Sequence, residues 1–245
     1  MMSISIKNKI ALVTGANRGI GKTITETFLK HGAKKVYLAV RDISSTKELE
    51  DTYGDRVVTV EADVSNTQSI QDLAKETKDV EIVVNNAGIG TPCSVLDKDV
   101  EKSLTEEFNV NTLGFVRMAN AFSKILESNK GTLVQLNSVA SIKNFPHLAT
   151  YSASKAASYS LTQALRNELE DKGVQILSVH PGPVDTDMGQ NAGFEDGAST
   201  DVISEGIVNA LQAGDFHLFP DEMAKEFESA YNSFAEKIVL ADNAE

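Results

Sequence analysis

Six short apolar runs rich in β-branched residues alternate along this chain with longer segments of helical spacing, and few architectures satisfy that alternation. The runs are Ile10 to Thr14, Val36 to Val40, Val57 to Glu61, Ile82 to Asn85, Thr132 to Asn137 and Gln175 to His180. The helical segments are Ile20 to His31, Thr67 to Lys75, Val100 to Glu127 and Ser152 to Lys172. A strand, a helix and a second strand make a parallel, right-handed crossover, and successive crossovers place helices on both faces of one sheet. The pattern predicts an α/β protein with a doubly wound parallel sheet.

At 245 residues and 41% hydrophobic content the chain can bury a full core. No Pro-, Gly- or Ser-rich linker divides it and no repeat period appears, so residues 1–245 read as a single Rossmann-type domain. The strands of such a sheet direct their carboxyl ends at one crevice, where ligands bind. A formal net charge of −12 argues against nucleic acid or anionic membrane as a partner. Most of it is local: ten acidic and two basic residues lie from Asp201 to Glu245, net −8, which leaves −4 for the rest. Cys93 is the only cysteine and the four histidines lack ligand spacing, so neither a disulfide nor a metal site is expected. No apolar run approaches the roughly 20 residues of a membrane span, and the start, Met1 to Val13, lacks the regions of a secretory signal. A soluble cytoplasmic protein is the expectation.

The first run ends in Thr14-Gly15-Ala16-Asn17-Arg18-Gly19-Ile20-Gly21, which leads straight into a helical segment. Glycines there let the backbone turn tightly and approach a pyrophosphate, whose charge the free amides and the helix dipole stabilise. The same glycines also suit a plain strand-to-helix connection. Tyr151 and Lys155, four apart, share one face if they lie on one helix. An ammonium near a phenol, whose ordinary pKa is about 10, stabilises the phenolate and suits it to exchange a proton with a substrate oxygen.

The glycine spacing, three residues and then one, differs from the commoner dinucleotide fingerprint. It resembles the short-chain dehydrogenase/reductase family, and the turn looks nearest to that of the carbonyl reductases. The resemblance continues in register through Asp63-Val64, Asn85-Asn86-Ala87-Gly88, Asn111, Ser138, Tyr151-Ser152-Ala153-Ser154-Lys155 and Pro181-Gly182-Pro183-Val184-Asp185-Thr186. It implies a dinucleotide held by Gly15, Asn17, Arg18, Gly19, Ile20 and Gly21. NAD-preferring relatives carry an acid where Val40 stands, whereas Arg41 and Arg18 suit a 2′-phosphate, so NADP(H) is expected. Asp63 and Val64 are expected at the adenine edge, although Asp63 also suits a cap on the following helix. Asn86, Ala87 and Gly88 are expected beside the adenosine ribose. Pro181, Gly182, Val184 and Thr186 are expected around the nicotinamide carboxamide.

Catalysis is assigned by the same resemblance to Asn111, Ser138, Tyr151 and Lys155. Ser138 would bind the substrate oxygen. Asn111 would kink its helix and hold a water joined to Lys155; Asn109 competes for that role, and the following Leu113-Gly114 pair favours Asn111. The implied activity is an NADPH-dependent, reversible transfer of hydride between cofactor and a ketone, aldehyde or secondary alcohol, with Tyr151 as acid and base. Ile89, Val139, Phe145, His147, Leu148, Met188 and Phe194 are the expected pocket wall, which suggests an apolar substrate. His180 reads as structural. A sensor of NADP redox state and an isomerase or dehydratase of related fold are the competing functions. Near the end, Met223, Phe227, Ala230, Tyr231, Phe234 and Ile238 predict the buried face of an amphipathic helix over residues 221–240. This tail lacks the glycine-rich ending of many relatives, and the expectation is a monomer or homodimer.

Overall fold

The computed structural model describes residues 3–240; the two ends of the 1–245 domain span, with the last acids of the tail, lie outside the described residues. Strand and helix alternate as β1 Ile10–Thr14, α1 Gly19–Lys30, β2 Lys35–Val40, α2 Lys47–Tyr53, β3 Val57–Glu61, α3 Thr67–Glu76 and β4 Ile82–Asn85. There follow α4 Val100–Glu107, α5 Leu113–Asn129, β5 Thr132–Leu136, α6 Ala149–Leu169, β6 Gln175–Val179, α7 Asp187–Asn191, α8 Thr200–Ala213, β7 His217–Leu218 and α9 Glu222–Phe234. The seven strands form one parallel sheet in the order β3-β2-β1-β4-β5-β6-β7. The chain direction across the sheet reverses at β1, whose neighbours are β2 and β4, and the ligand crevice of such a sheet opens there.

Every residue of β1, β4, β5 and β6 is buried, as a sheet covered on both faces requires. Successive side chains of β1 enter opposite layers. Ala11 and Val13 pack in one core with Phe28 of α1 and Ile207 of α8, while Ile10 and Leu12 pack in the other with Ile70 of α3 and Phe115 and Phe122 of α5. Among the described residues no helix is long and apolar enough to cross a membrane.

Several boundaries depart from the periodicity. The segment from Val100 to Glu127 is not one helix: a π-turn at Phe108–Thr112 separates α4 from α5. An extra residue in a helical turn leaves the apolar repeat almost unchanged, so spacing alone conceals it. The runs ending at Asn137 and His180 exceed their strands by one residue, although both amides still donate to the next strand, Asn137 N to Val179 O and His180 N to Leu218 O, each at 2.8 Å. At the tail, Asp221 caps α9 through Ala224 N at 2.9 Å and also accepts from Gly182 N at 2.7 Å, which sets the rotation of the helix. The buried stripe is therefore Ala224 and Ala235 with Phe227 and Tyr231 half-buried, whereas Met223, Phe234 and Ile238 of the expected face are 41%, 52% and 62% exposed and Ala230 is exposed too. The small Ala224 lets the start of this helix pack closely on Phe219 and Val139.

Candidate active site

A cavity of about 710 Å³ runs across the carboxyl ends of the strands. Its near end is built by the glycine turn. Gly15 and Gly19 have φ of +65° and +51°, conformations that favour glycine, and a Cβ on Gly15 would press on Asn86 and Ala87. Gly21 does not line the cavity, but a side chain there would collide with the Gly15 carbonyl and Asn86 Nδ2, so it lets α1 start directly under the turn. No side chain caps α1 and its first turn holds no acid, which leaves a positive helix end facing the cavity. Asn86 Nδ2 donates to Thr14 O at 2.8 Å, and Thr14 Oγ1 accepts from Asn86 N and Ala87 N, both at 2.9 Å, which ties the loop after β4 to the turn. A dinucleotide fits this cradle, since it offers amides and an uncapped helix end at one place.

The outer wall carries the charges. Arg41, after β2, is exposed and borders the cavity. Asp42 beside it is committed to the chain: its Oδ1 accepts from Ser44 Oγ at 2.7 Å and Ser44 N at 2.9 Å, and these bonds hold its pKa below the usual carboxylate range. Asp63 does not cap α3, a role that Asn66 takes through Gln68 N and Ser69 N. Partial burial raises the Asp63 pKa, but bonds from Ser65 and the nearby Arg41 and Arg117 outweigh it and keep the carboxyl ionised at the cavity edge beside Val64. Arg18 forms an ion pair with Asp187 at 2.6 Å, across the mouth from the glycine turn to α7.

At the far end the wall is formed by Ser138 after β5, by Tyr151 and Lys155 on α6, and by Pro181 to Thr186 after β6. Lys155 is 5% exposed; its Nζ donates to Leu136 O at 2.6 Å and stands 5.8 Å from the Tyr151 ring centre. Burial pushes the ammonium down, to about 8. It pushes the Tyr151 phenol up, to about 12, against a downward pull from the Ser138 hydroxyl and with a further upward push from Glu107. In the chain itself desolvation sets the direction, since the Lys155 ammonium is turned to a backbone carbonyl; stabilisation of the phenolate is expected from the ammonium together with the positive nicotinamide ring. Tyr151 is only half-buried, with its open side on the cavity.

Asn111 lies in the π-turn, 2% exposed and behind the cavity wall rather than on it. Its Oδ1 accepts from Ile89 N at 2.9 Å, and its Nδ2 donates to Ile89 O at 2.8 Å and Ser154 Oγ at 2.9 Å. A Cβ on Gly88 would stand 3.1 Å from Asn111 Oδ1 and 3.6 Å from Lys155 Nζ, so these three groups meet behind Tyr151. Asn109 is occupied elsewhere, with its side-chain oxygen accepting from Arg117 at 2.8 Å.

Of the expected pocket residues, Ile89, Val139, Phe145, Leu148, Met188 and Phe194 line the cavity, while His147 stands outside it, 6.1 Å from the Phe194 ring. Sequence reasoning missed two contributors. Met223 of α9 completes the apolar wall, and buried Glu107 accepts from Thr91 N at 2.9 Å, which with Asn111 holds the loop from Gly88 to Thr91. Glu107 sits among other acids in sequence, and only packing distinguishes it.

The sequence profile of the family described as short chain dehydrogenase matches residues 9–196. The chain belongs to the short-chain dehydrogenase/reductase family. It is therefore an oxidoreductase with a nicotinamide cofactor site. It is 34% identical over 194 residues to the NADP-dependent 3-hydroxy acid dehydrogenase of Schizosaccharomyces pombe, covering 75% of this chain and 74% of that one. Among solved structures it is similar to a short chain dehydrogenase from Burkholderia cenocepacia in complex with NADP, with TM-score 0.88, 32% identity, and coverage of 98% of this chain and 100% of that one. It is also similar to a 3-ketoacyl-(acyl-carrier-protein) reductase from Brucella melitensis complexed with NADH, with TM-score 0.80, 25% identity, and coverage of 87% and 96%.

Proposed function

We propose that this chain is an NADPH-dependent reductase of apolar, uncharged ketones or aldehydes, reversible toward the secondary or primary alcohol. The observation that carries the reading is the placement of Ser138, Tyr151 and Lys155 together at the apolar end of a cavity whose other end is an uncapped helix terminus on a glycine turn. Related structures hold NADP or NADH, so the choice of NADP rests on this chain's own residues. Val40 leaves no acid at the end of β2, Asp42 is spent on Ser44, and Arg41 and Arg18 are the cations at that end of the cavity. Their guanidinium groups suit a 2′-phosphate.

A bound nicotinamide supplies or takes the hydride. The Ser138 hydroxyl holds the substrate oxygen, and the Tyr151 phenol, protonated at neutral pH as any phenol is and kept so to higher pH by its burial, donates its proton to that oxygen during reduction. In the reverse direction the phenolate takes the proton back. Lys155 brings positive charge to this end, and Asn111 fixes the loop that closes over the Tyr151 ring, where Gly90 lies close enough that a Cβ would touch the ring at 3.0 Å. The reaction end is lined by Phe145, Leu148, Met188, Phe194 and Met223, and among the described residues Lys155 is its only lining cation, already bonded to Leu136 O. A free carboxylate or phosphate on the substrate finds no other counter-charge there among the described residues.

A panel of carbonyl compounds followed by NADPH absorbance tests the reading. Net oxidation with apolar ketones or aldehydes is the expected result; turnover without net NADPH loss, or binding without turnover, refutes it.

A further inference from the structure

His180 follows β6 directly, and its imidazole is fully buried beneath the Ser138 turn. Nδ1 lies 3.0 Å from Ser141 Oγ and 3.2 Å from the carbonyl oxygen of Ser138, and Nε2 lies 2.8 Å from Ser178 Oγ. The Ser138 carbonyl only accepts, so a lone pair on Nδ1 would face it unfavourably and the ring proton belongs on Nδ1. Nε2 then accepts from the Ser178 hydroxyl, whose oxygen accepts from Asn137 Nδ2 at 2.9 Å. The Ser141 hydroxyl in turn donates to Ser138 O at 2.5 Å. One tautomer satisfies all of these bonds. Burial, with a further push from His217, holds the imidazole pKa down to about 3, so the ring stays neutral and keeps that pattern.

The next residue grips the same turn from the other side. Pro181 O accepts from Val139 N at 3.0 Å and from Ser138 Oγ at 3.2 Å. Ser138 is therefore held by two consecutive residues, one on its carbonyl and one on its hydroxyl. Packing alone does not account for an imidazole here: the ring stacks on Phe219 at 4.9 Å and meets Tyr159 edge-on at 4.6 Å, contacts that a phenylalanine would also make.

We propose that His180 is a positioning residue for Ser138, whose Nδ1 proton on the Ser138 and Ser141 oxygens fixes the peptide that aims the Ser138 hydroxyl at the substrate oxygen. The proposal rests on the reductase reading above. Displacement of a catalytic group by about 1 Å typically costs on the order of a hundredfold in rate, so a rigid mount for Ser138 has a kinetic consequence.

Three substitutions separate this role from core filling. His180→Phe keeps the ring and loses the proton; His180→Asn returns an amide N–H near Nδ1; His180→Gln reaches toward Ser178 and leaves the Ser138 carbonyl without its donor. With an apolar ketone and NADPH, kcat falls by roughly tenfold to a hundredfold in the Phe and Gln variants, while Kd for NADPH is unchanged, and Asn recovers to within about threefold of wild type. In a Ser138→Ala background, His180→Phe lowers kcat by no more than about twofold, since the group being positioned is gone. Wild-type kcat in the Phe variant, equal kcat in the Asn and Gln variants, or a fully additive loss in the Ser138→Ala background overturns the proposal. Should the Phe variant fail to fold, the Asn and Gln pair, matched in polarity, decides. Wild-type kcat in Ser138→Ala itself would instead remove the catalytic reading of Ser138 on which this one stands.

Discussion

The two ends of the cavity are built on opposite principles. At the reaction end Ser138, Asn111, Lys155 and His180 are 8%, 2%, 5% and 0% exposed, and each is held by named hydrogen bonds to backbone or neighbouring side chains. At the glycine turn and beyond it Arg18 and Asp187 form a pair across the mouth with side chains 71% and 67% exposed, and Arg41 stands in solvent. Proton transfer depends on sub-ångström placement, which burial and a satisfied hydrogen-bond network supply. Recognition of a phosphate needs charge within reach, which long exposed side chains provide at the expense of screening by salt. Loss of a buried group should therefore change turnover sharply, and loss of an exposed one should change cofactor affinity modestly.

Tyr151→Phe is the strongest test of that contrast. It removes one oxygen from a half-buried ring, and kcat for carbonyl reduction should fall by roughly 10²- to 10⁴-fold while NADPH still binds. Retention of near-wild-type kcat would mean that another group carries the proton.

Lys155→Met tests what the buried charge costs the fold. The folded-state pKa of about 8 lies below the ordinary 10.5, so between those values the unfolded chain binds more protons and wild-type stability rises with pH. At pH 7 the penalty is fully present. The variant should then be inactive yet more stable by about 1–2 kcal/mol, after allowing for the donor that Leu136 O loses, with Tm higher by roughly 2–4 °C per kcal/mol. Calorimetry across the pH range checks it: the gain must shrink toward pH of about 10, and a gain that is constant with pH would rule out the charge as its cause.

At the exposed end the effects are smaller. Arg41→Ala should raise KM for NADPH about tenfold, equivalent to about 1.4 kcal/mol, and leave KM for NADH unchanged. A parallel rise for both cofactors would take Arg41 out of phosphate recognition. Asp187→Asn releases Arg18 from its ion pair, and since exposed pairs are worth under about 1 kcal/mol, KM for NADPH should fall by at most about threefold. That change should vanish in salt of about 0.5 M, and persistence there would point to a shift of α7 rather than to charge.

Most of the sheet was legible from residue types. All six apolar runs carried enough β-branched and flanking turn character to locate both strand ends within a residue, and the glycine turn stood where a parallel sheet opens. The two-residue β7 and the short α2 and α7 were not legible, since so few residues have no period to read. The π-turn was hidden for a related reason. The buried face of α9 was misread because its rotation depends on Asp221 bonding Gly182 N, a contact across 39 residues that no local pattern encodes.

The fold class, the family and many of the residues around one crevice could be read from the chain alone, because those follow from local periodicity, the needs of a tight turn, and fixed spacings along single elements. Their electrostatic state and their mounting come from contacts between elements distant in the chain. Tyr151 and Lys155 are four residues apart in any helix, but whether the phenol is raised or lowered depends on how much solvent α6 loses against β5 and which acceptor, here Leu136 O, the ammonium meets. His180 reads as one more buried histidine until β5 and β6 pair and bring it under Ser138, 42 residues earlier in the chain. Hydrogen bonding and desolvation act through space, over a few ångströms, between groups that the sequence separates.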